Sequence, residues 1–215
     1  MTFTTVGVGG FASNAGKTTL MCELLGALRP GWEAIKITRG HYRSCGKDPQ
    51  ACCVSHLLAE QPVIRSGRGE TYAAGKDTGR YWDAGAANVH WVIVTDKQVE
   101  RGIKLALERV RAEGVLIEGT SFVQFVGVDL MLMAAHAAGM DKIKPSARRA
   151  LTKTDALYLF DEGGDATEDA RTRFAQSPLG ASGENVTGGI PIYTREDLPR
   201  LVERVREIQR GGVAA

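Results

Sequence analysis

The stretch Gly9-Gly10-Phe11-Ala12-Ser13-Asn14-Ala15-Gly16-Lys17-Thr18-Thr19 constrains this chain more than any other. It follows an apolar, β-branched run, Phe3 to Gly9, and precedes a stripe of Leu20, Leu24, Leu25 and Leu28 at helical period. A strand therefore passes through a glycine-rich turn into a helix. Such a turn lets successive backbone N–H groups wrap a phosphate, and the helix N-terminus adds partial positive charge. The expected contacts are Gly10, Ser13, Asn14, Ala15, Gly16, Lys17, Thr18 and Thr19. Lys17 would reach the β- and γ-phosphates, the Thr18 hydroxyl would hold Mg²⁺, and Thr19 would line the base or α-phosphate side. The spacing departs from the common G-x-x-x-x-G-K-[ST], because Phe11 stands at the first glycine position and five residues separate Gly10 from Gly16.

The rest of the chain supplies the setting. With 43% hydrophobic and 24% charged residues among 215, there is apolar material for one sizeable core and too much for a disordered chain. Lys and Arg number 27 against 25 Asp and Glu, so the net charge of +2 argues against a nucleic-acid or membrane-surface binder. The longest apolar stretches, such as Val128 to Ala135, fall short of the roughly 20 residues of a membrane helix. The N-terminus lacks a basic signal-peptide region, so the expected location is cytoplasmic and the four cysteines are expected as reduced thiols.

Strand-like runs fall at Phe3–Gly9, Ala34–Thr38, Val89–Thr95, Val115–Glu118, Val128–Ala134, Ala156–Phe160 and Ile190–Tyr193. Helical periods fall at Gly16–Leu28, Lys97–Ala112, Ser146–Leu151, Glu168–Ala175 and Glu196–Gln209. The alternation predicts an α/β fold with a mainly parallel sheet and helices on both faces, three layers in all. Residues 39–77 are long for a connection and hold three of the four cysteines, with a helix expected near Gln50–Ala59. Asp161–Asp165 and Pro178–Gly189 read as loops.

Gly10 to Thr18 resembles the phosphate loop of dethiobiotin synthetases, which belong with nickel-insertion GTPases and ParA-like ATPases in one branch of the P-loop NTPases. Gly75-Lys76-Asp77-Thr78-Gly79-Arg80-Tyr81-Trp82-Asp83-Ala84-Gly85-Ala86 looks like the G-K-D-[ST]-x-R-x-x-x-A-G-A segment of the molybdopterin-guanine dinucleotide biosynthesis B proteins. Ile35-Lys36-Ile37 and Val115-Leu116-Ile117-Glu118-Gly119 resemble that family's I-K-H and V-[LV]-[VI]-E-G strand ends, in the same order. The resemblance spans Thr4 to Phe122, interrupted by residues 39–74. It implies one P-loop NTPase domain over residues 1–215 with a cysteine-containing insertion at about 39–75. It further implies a purine nucleotide, ATP or GTP, with Mg²⁺, a small-molecule or cofactor-pathway partner in molybdenum cofactor biosynthesis, and a homodimer. An ATP-dependent kinase or ligase and a nucleotide-switched metallochaperone stand as alternatives.

Phosphoryl chemistry needs carboxylates that orient a metal's ligands or the nucleophile. Glu118, at a strand's C-terminal end, and Asp77 are the candidates, beside Lys17, for catalysis and, with Thr18, for Mg²⁺. A turn carboxylate and a helix N-terminal acid are the plain alternatives for the two. Lys36, Lys76 and Arg80 are substrate candidates, or else cations of a solvated surface. Thr152-Lys153-Thr154-Asp155 matches the guanine-selecting [NT]-K-x-D pattern but precedes its strand, on the wrong edge of the sheet. The base is expected instead near His136 and the loop after Phe160. His41, Cys45, Cys52 and His56, with Cys53, are a ligand set for Zn²⁺ or Ni²⁺, a reactive thiol group, or packing.

Overall fold

In the computed structural model, which describes residues 3–40, 54–136, 144–160, 172, 174 and 189–213, the apolar runs become strands of one sheet. β1 (Thr4–Gly10) leads through the glycine-rich loop into α1 (Lys17–Leu28), and β2 (Trp32–Arg39) follows. Next come β3 (Val63–Ser66), α2 (Arg68–Thr71), α3 (Asp77–Asp83) and β4 (Val89–Val94). α4 (Val99–Leu107), β5 (Gly114–Glu118), β6 (Leu130–His136) and α5 (Pro145–Leu151) precede β7 (Ala156–Phe160), β8 (Ile192–Tyr193) and α6 (Leu198–Val213). The strand order is β3-β4-β2-β5-β1-β6-β7-β8, parallel throughout except where β3 pairs with β4.

Both faces of the central strands are buried, which is why they read as unbroken apolar runs. Val115 and Ile117 of β5 join Ile103 of α4 and Ala147 of α5 on one face. Leu116 joins Leu20 and Leu24 of α1, Tyr81 of α3 and Leu201 of α6 on the other. Each fully buried Leu or Ile contributes about 1.5–3 kcal/mol to holding these layers. In β1 a Cβ at Gly9 would lie 2.5 Å from Met133 Sδ, so the glycine lets the methionines of β6 close over that strand.

Register carries the fold toward function. Val8 of β1 is level with Glu118 of β5, and Lys36 of β2 is level with the same Glu118. β5 therefore ends level with Val8 and Lys36, near the C-terminal ends of β1 and β2 and beside the loop that leaves β1.

Some expectations change. The helix expected over Lys97–Ala112 is a 3-10 turn at Asp96–Gln98 followed by an α-helix that stops at Leu107. Of the helix expected near Gln50–Ala59, residues 50–53 lie outside the described residues, and the described part is a single 3-10 turn, Ser55–Leu57. β3 was not expected: all four of its residues are half-buried, so no apolar alternation marks it. β6 starts and ends two residues later than Val128–Ala134, which puts His136 at its end. Of Glu168–Ala175, Thr172 and Phe174 are described and are helical; the expected loops Asp161–Asp165 and, but for Gly189, Pro178–Gly189 lie outside the described residues. Among the described residues no helix is long and apolar enough to cross a membrane.

Candidate functional site

The C-terminal edge of the parallel strands opens into a cleft of about 600 Å³ lined by the residues from Ala12 to Thr19 and by Lys36, Asp77, Glu118, His136 and Phe160. The loop turns through two left-handed residues, Asn14 at φ 58° and Gly16 at φ 82°. Asparagine tolerates that region and glycine adopts it without cost. A Cβ on Gly16 would also collide with the Phe160 ring, so the glycine serves both turn and packing. The backbone is tied on several sides. Thr120 Oγ1 accepts from Gly10 N at 3.1 Å, Ala134 O accepts from Phe11 N at 3.2 Å, and Lys144 N donates to Phe11 O at 3.1 Å. Lys144 Nζ donates to Ser13 Oγ at 2.7 Å, which pins the exposed tip of the loop.

The helix that follows places Lys17 and Thr18 at the mouth of the cleft. Thr18 Oγ1 donates to Asp77 Oδ1 at 3.1 Å and to Glu118 Oε2 at 3.2 Å. Lys36 Nζ bridges the same carboxylates, 2.6 Å from Asp77 Oδ2 and 2.5 Å from Glu118 Oε1. Tyr81, fully buried and one turn after Asp77 on α3, donates its hydroxyl to Glu118 Oε2. α3 can deliver both because Asp77 and Tyr81 share a face at i and i+4. Gly79 packs against the carbonyl of Ala73 in the segment before α3, where a Cβ would have no room.

The charges are balanced locally. Burial disfavours the ionised Asp77, but the hydrogen bond and charge of Lys36, with Thr18 and Arg80, outweigh it and hold the carboxyl below its ordinary range. Burial lowers the Lys17 pKa; Glu118 and Asp77 oppose this, while Lys36 and Lys144 add to it.

The structure brings Lys17, Thr18, Lys36, Asp77, Arg80 and Glu118 to one cleft. Glu118 is 3% exposed and points into the site instead of capping a turn. Lys76 sits exposed at the N-cap position of α3 and is not among the residues that line the cleft. His136 and Phe160 face one another with ring centroids 5.7 Å apart, beyond Gly16. Thr152–Asp155 lies at the opposite edge of the sheet: Asp155 Oδ2 accepts from Met131 N at 2.7 Å, and Lys153 Nζ donates to Val123 O. His41, Cys45, Cys52 and Cys53 lie outside the described residues, and His56 is exposed on the 3-10 turn. Among the described residues no group of three or more His, Cys, Asp or Glu side chains could hold a metal.

Tyr81, Thr120 and Lys144 were not singled out by sequence. Lys144 had a usable signal, since Pro145 begins α5 and fixes the residue before it at that helix's start. Thr120 stands two residues after Glu118 and Tyr81 one turn after Asp77, but their hydrogen bonds to Gly10 N and Glu118 cross between distant elements, which no local pattern reports.

No protein-family model and no curated protein sequence matches the chain. Solved structures do match. HypB from Helicobacter pylori, in complex with nickel, superposes with a TM-score of 0.59 at 11% identity, over 99% of this chain and 89% of that one. More distant likenesses include an LAO/AO transport system kinase (TM-score 0.48, 14% identity, 100% of this chain and 66% of that one). Another is LpxK from Aquifex aeolicus in complex with ATP (TM-score 0.47, 18% identity, 74% and 48%). The chain has the three-layer α/β fold of the P-loop NTPases.

Proposed function

We propose that this protein binds and hydrolyses a purine nucleotide, ATP or GTP, with Mg²⁺, in a step of cofactor biosynthesis like that served by the molybdopterin-guanine dinucleotide biosynthesis B proteins it resembles. One observation carries the nucleotide reading. At the end of a glycine-rich strand-to-helix loop, the Thr18 hydroxyl lies 3.1 and 3.2 Å from Asp77 and Glu118. One hydroxyl and two carboxylates are hard oxygen donors, the set that suits Mg²⁺.

Thr18, Asp77 and Glu118 would hold Mg²⁺, which would supply charge neutralisation on the phosphates and polarisation of the terminal phosphoryl group. The chain does the rest by positioning and charge. Loop amides and Lys17 hold the phosphates, Asp77 and Glu118 orient the metal's ligands and the attacking water, and Tyr81 holds Glu118 in place. Phe160 and His136 offer aromatic faces to a base beyond Gly16. Calorimetric titration with non-hydrolysable ATP and GTP analogues, each with and without Mg²⁺, tests the reading. Binding of one analogue, strengthened by Mg²⁺, is expected, and binding of neither refutes it.

A second reading, a kinase or ATP-dependent ligase, is favoured by Lys36, Arg39 and Arg80, which line the same cleft and suit a small anionic acceptor. ADP release on adding a metabolite pool supports it. The metallochaperone reading rests on the thiol and imidazole groups of His41, Cys45, Cys52 and His56 and on the nickel in the HypB structure. Elemental analysis of the purified protein decides that, and sedimentation decides the homodimer.

A further inference from the structure

Lys36 stands where a divalent cation needs to be. Its ammonium takes one oxygen of Asp77 at 2.6 Å and one of Glu118 at 2.5 Å. Thr18 Oγ1 donates to the other oxygen of each. Those three groups are the donor set named above for Mg²⁺, so the ammonium and the metal compete for the same carboxylates. The competition is sharpened by burial. The Lys36 side chain is 16% exposed and that of Glu118 4%, so water does little to compensate either charge if its partner leaves. Asp77, at 41%, is the open side.

We propose that Lys36 is a resident cation that exchanges with the metal. It balances Asp77 and Glu118 until a divalent ion arrives with the nucleotide, and then turns its ammonium to the terminal phosphate. The inference rests on the nucleotide reading above and adds an order to it. A metal alone must displace a bound ammonium from buried carboxylates and gains little. Nucleotide phosphates give that ammonium a new partner, so metal and nucleotide bind cooperatively and each raises the affinity for the other. The exchange also adds a second ammonium to Lys17 at the phosphates when the metal is seated, which ties the charge available for catalysis to the presence of both ligands. Glu118 stays oriented throughout, because Tyr81 holds its Oε2 independently of Lys36.

The test is titration of Mn²⁺ alone into nucleotide-free protein, with free Mn²⁺ read by electron paramagnetic resonance. Wild type is expected to bind weakly, Lys36→Met about tenfold more tightly, and Lys36→Arg, which keeps the charge, like wild type. Equal or weaker binding by folded Lys36→Met overturns the exchange. Should that variant not fold, reductive methylation of Lys36 in wild type, read by mass spectrometry, is expected to speed up on adding Mn²⁺ alone, and an unchanged rate overturns it. Titration of wild type with a Mg²⁺-nucleotide analogue separates the two levels. No nucleotide binding sinks the functional reading, whereas normal nucleotide binding with no gain in Lys36→Met sinks the exchange alone.

Discussion

Replacing Lys17 by methionine separates what the lysine does for a ligand from what it does to the fold. Methionine keeps an unbranched stem against Gly10, beside which the Lys17 methylenes pack, and removes the ammonium. In the folded protein burial lowers the Lys17 pKa, with repulsion from Lys36 and Lys144 adding to it and attraction to Glu118 and Asp77 opposing it. A lysine with a folded pKa below its unfolded one makes stability rise with pH through the window between the two. Below the folded pKa the full cost of the buried charge is present. Lys17→Met removes that cost, so its melting temperature should hold or rise. Binding should move the other way. Charge-assisted bonds from an ammonium to phosphate oxygens contribute about 1.5–3 kcal/mol each. Two such bonds, shared between the β- and γ-phosphates, place the loss at about 3–6 kcal/mol, or roughly 100- to 20,000-fold in Kd. Calorimetry with a non-hydrolysable nucleotide and Mg²⁺, paired with thermal unfolding, reads both quantities. An affinity within about threefold of wild type refutes the ligand role, and a melting temperature lower by more than about 4 °C makes Lys17 a structural group instead.

Two further substitutions probe what supports the cleft. Tyr81→Phe removes the hydroxyl that fixes Glu118, and on the proposed Mg²⁺ reading the loss of such an outer partner of a metal ligand typically matters about 10- to 100-fold. The gain in nucleotide affinity that Mg²⁺ confers should fall by about tenfold while Mg²⁺-free binding stays, and an equal loss with and without Mg²⁺ counts against a positioning role. Far from the cleft, buried Glu33 accepts from His90 Nε2 at 2.7 Å and from Arg111 N and Ala112 N at 3.0 and 3.1 Å. Burial pushes its pKa up, but these bonds and the His90 charge outweigh it, so the folded value lies below the ordinary one. Glu33 therefore stabilises the fold above its unfolded pKa of about 4.3 and ceases to as pH falls through the folded value. Glu33→Gln should cost about 2–3 kcal/mol by urea unfolding at pH 7 and progressively less in acid. A gap that is the same at both ends, or any loss of nucleotide binding, contradicts the assignment.

How far such a site shows in the sequence depends on the distance over which its residues act. The loop and its helix were legible because strand, glycines, Lys17, Thr18 and the leucine stripe are contiguous and each follows a local rule. Lys36 and Glu118 were legible as strand ends, although their contact depends on the register of β2 against β5. Asp77 drew notice through a family-like segment; its position comes from α3 packing against α1, which local periodicity does not encode. β3 stayed hidden because a four-residue edge strand with every side chain half-buried has neither an apolar run nor an alternation. Lys144 reaches the loop across 131 positions of sequence, a separation at which only the folded sheet brings groups together.

The parity of the strands then explains why these residues and not their neighbours meet the glycine-rich loop. Side chains alternate between faces, and Val6, Ala34 and Leu116 all lie on the face covered by α1 and α3. Two positions further on, the same rows reach Val8, Lys36 and Glu118, which are level across β1, β2 and β5. The site is thus the polar end of an apolar stripe: the rows that bury α1 finish in a cation and a carboxylate just where Lys17 and Thr18 open that helix. A slip of one residue in β5 would bring Ile117 to this face and turn Glu118 into the opposite layer, beside Phe122 and Met131 and away from Lys36 and Thr18. The apolar residues that fix the register therefore also fix the chemistry. Those that bury α1 and α3 against β1, β2 and β5 act on the cleft as positioning groups, although none of them touches a ligand.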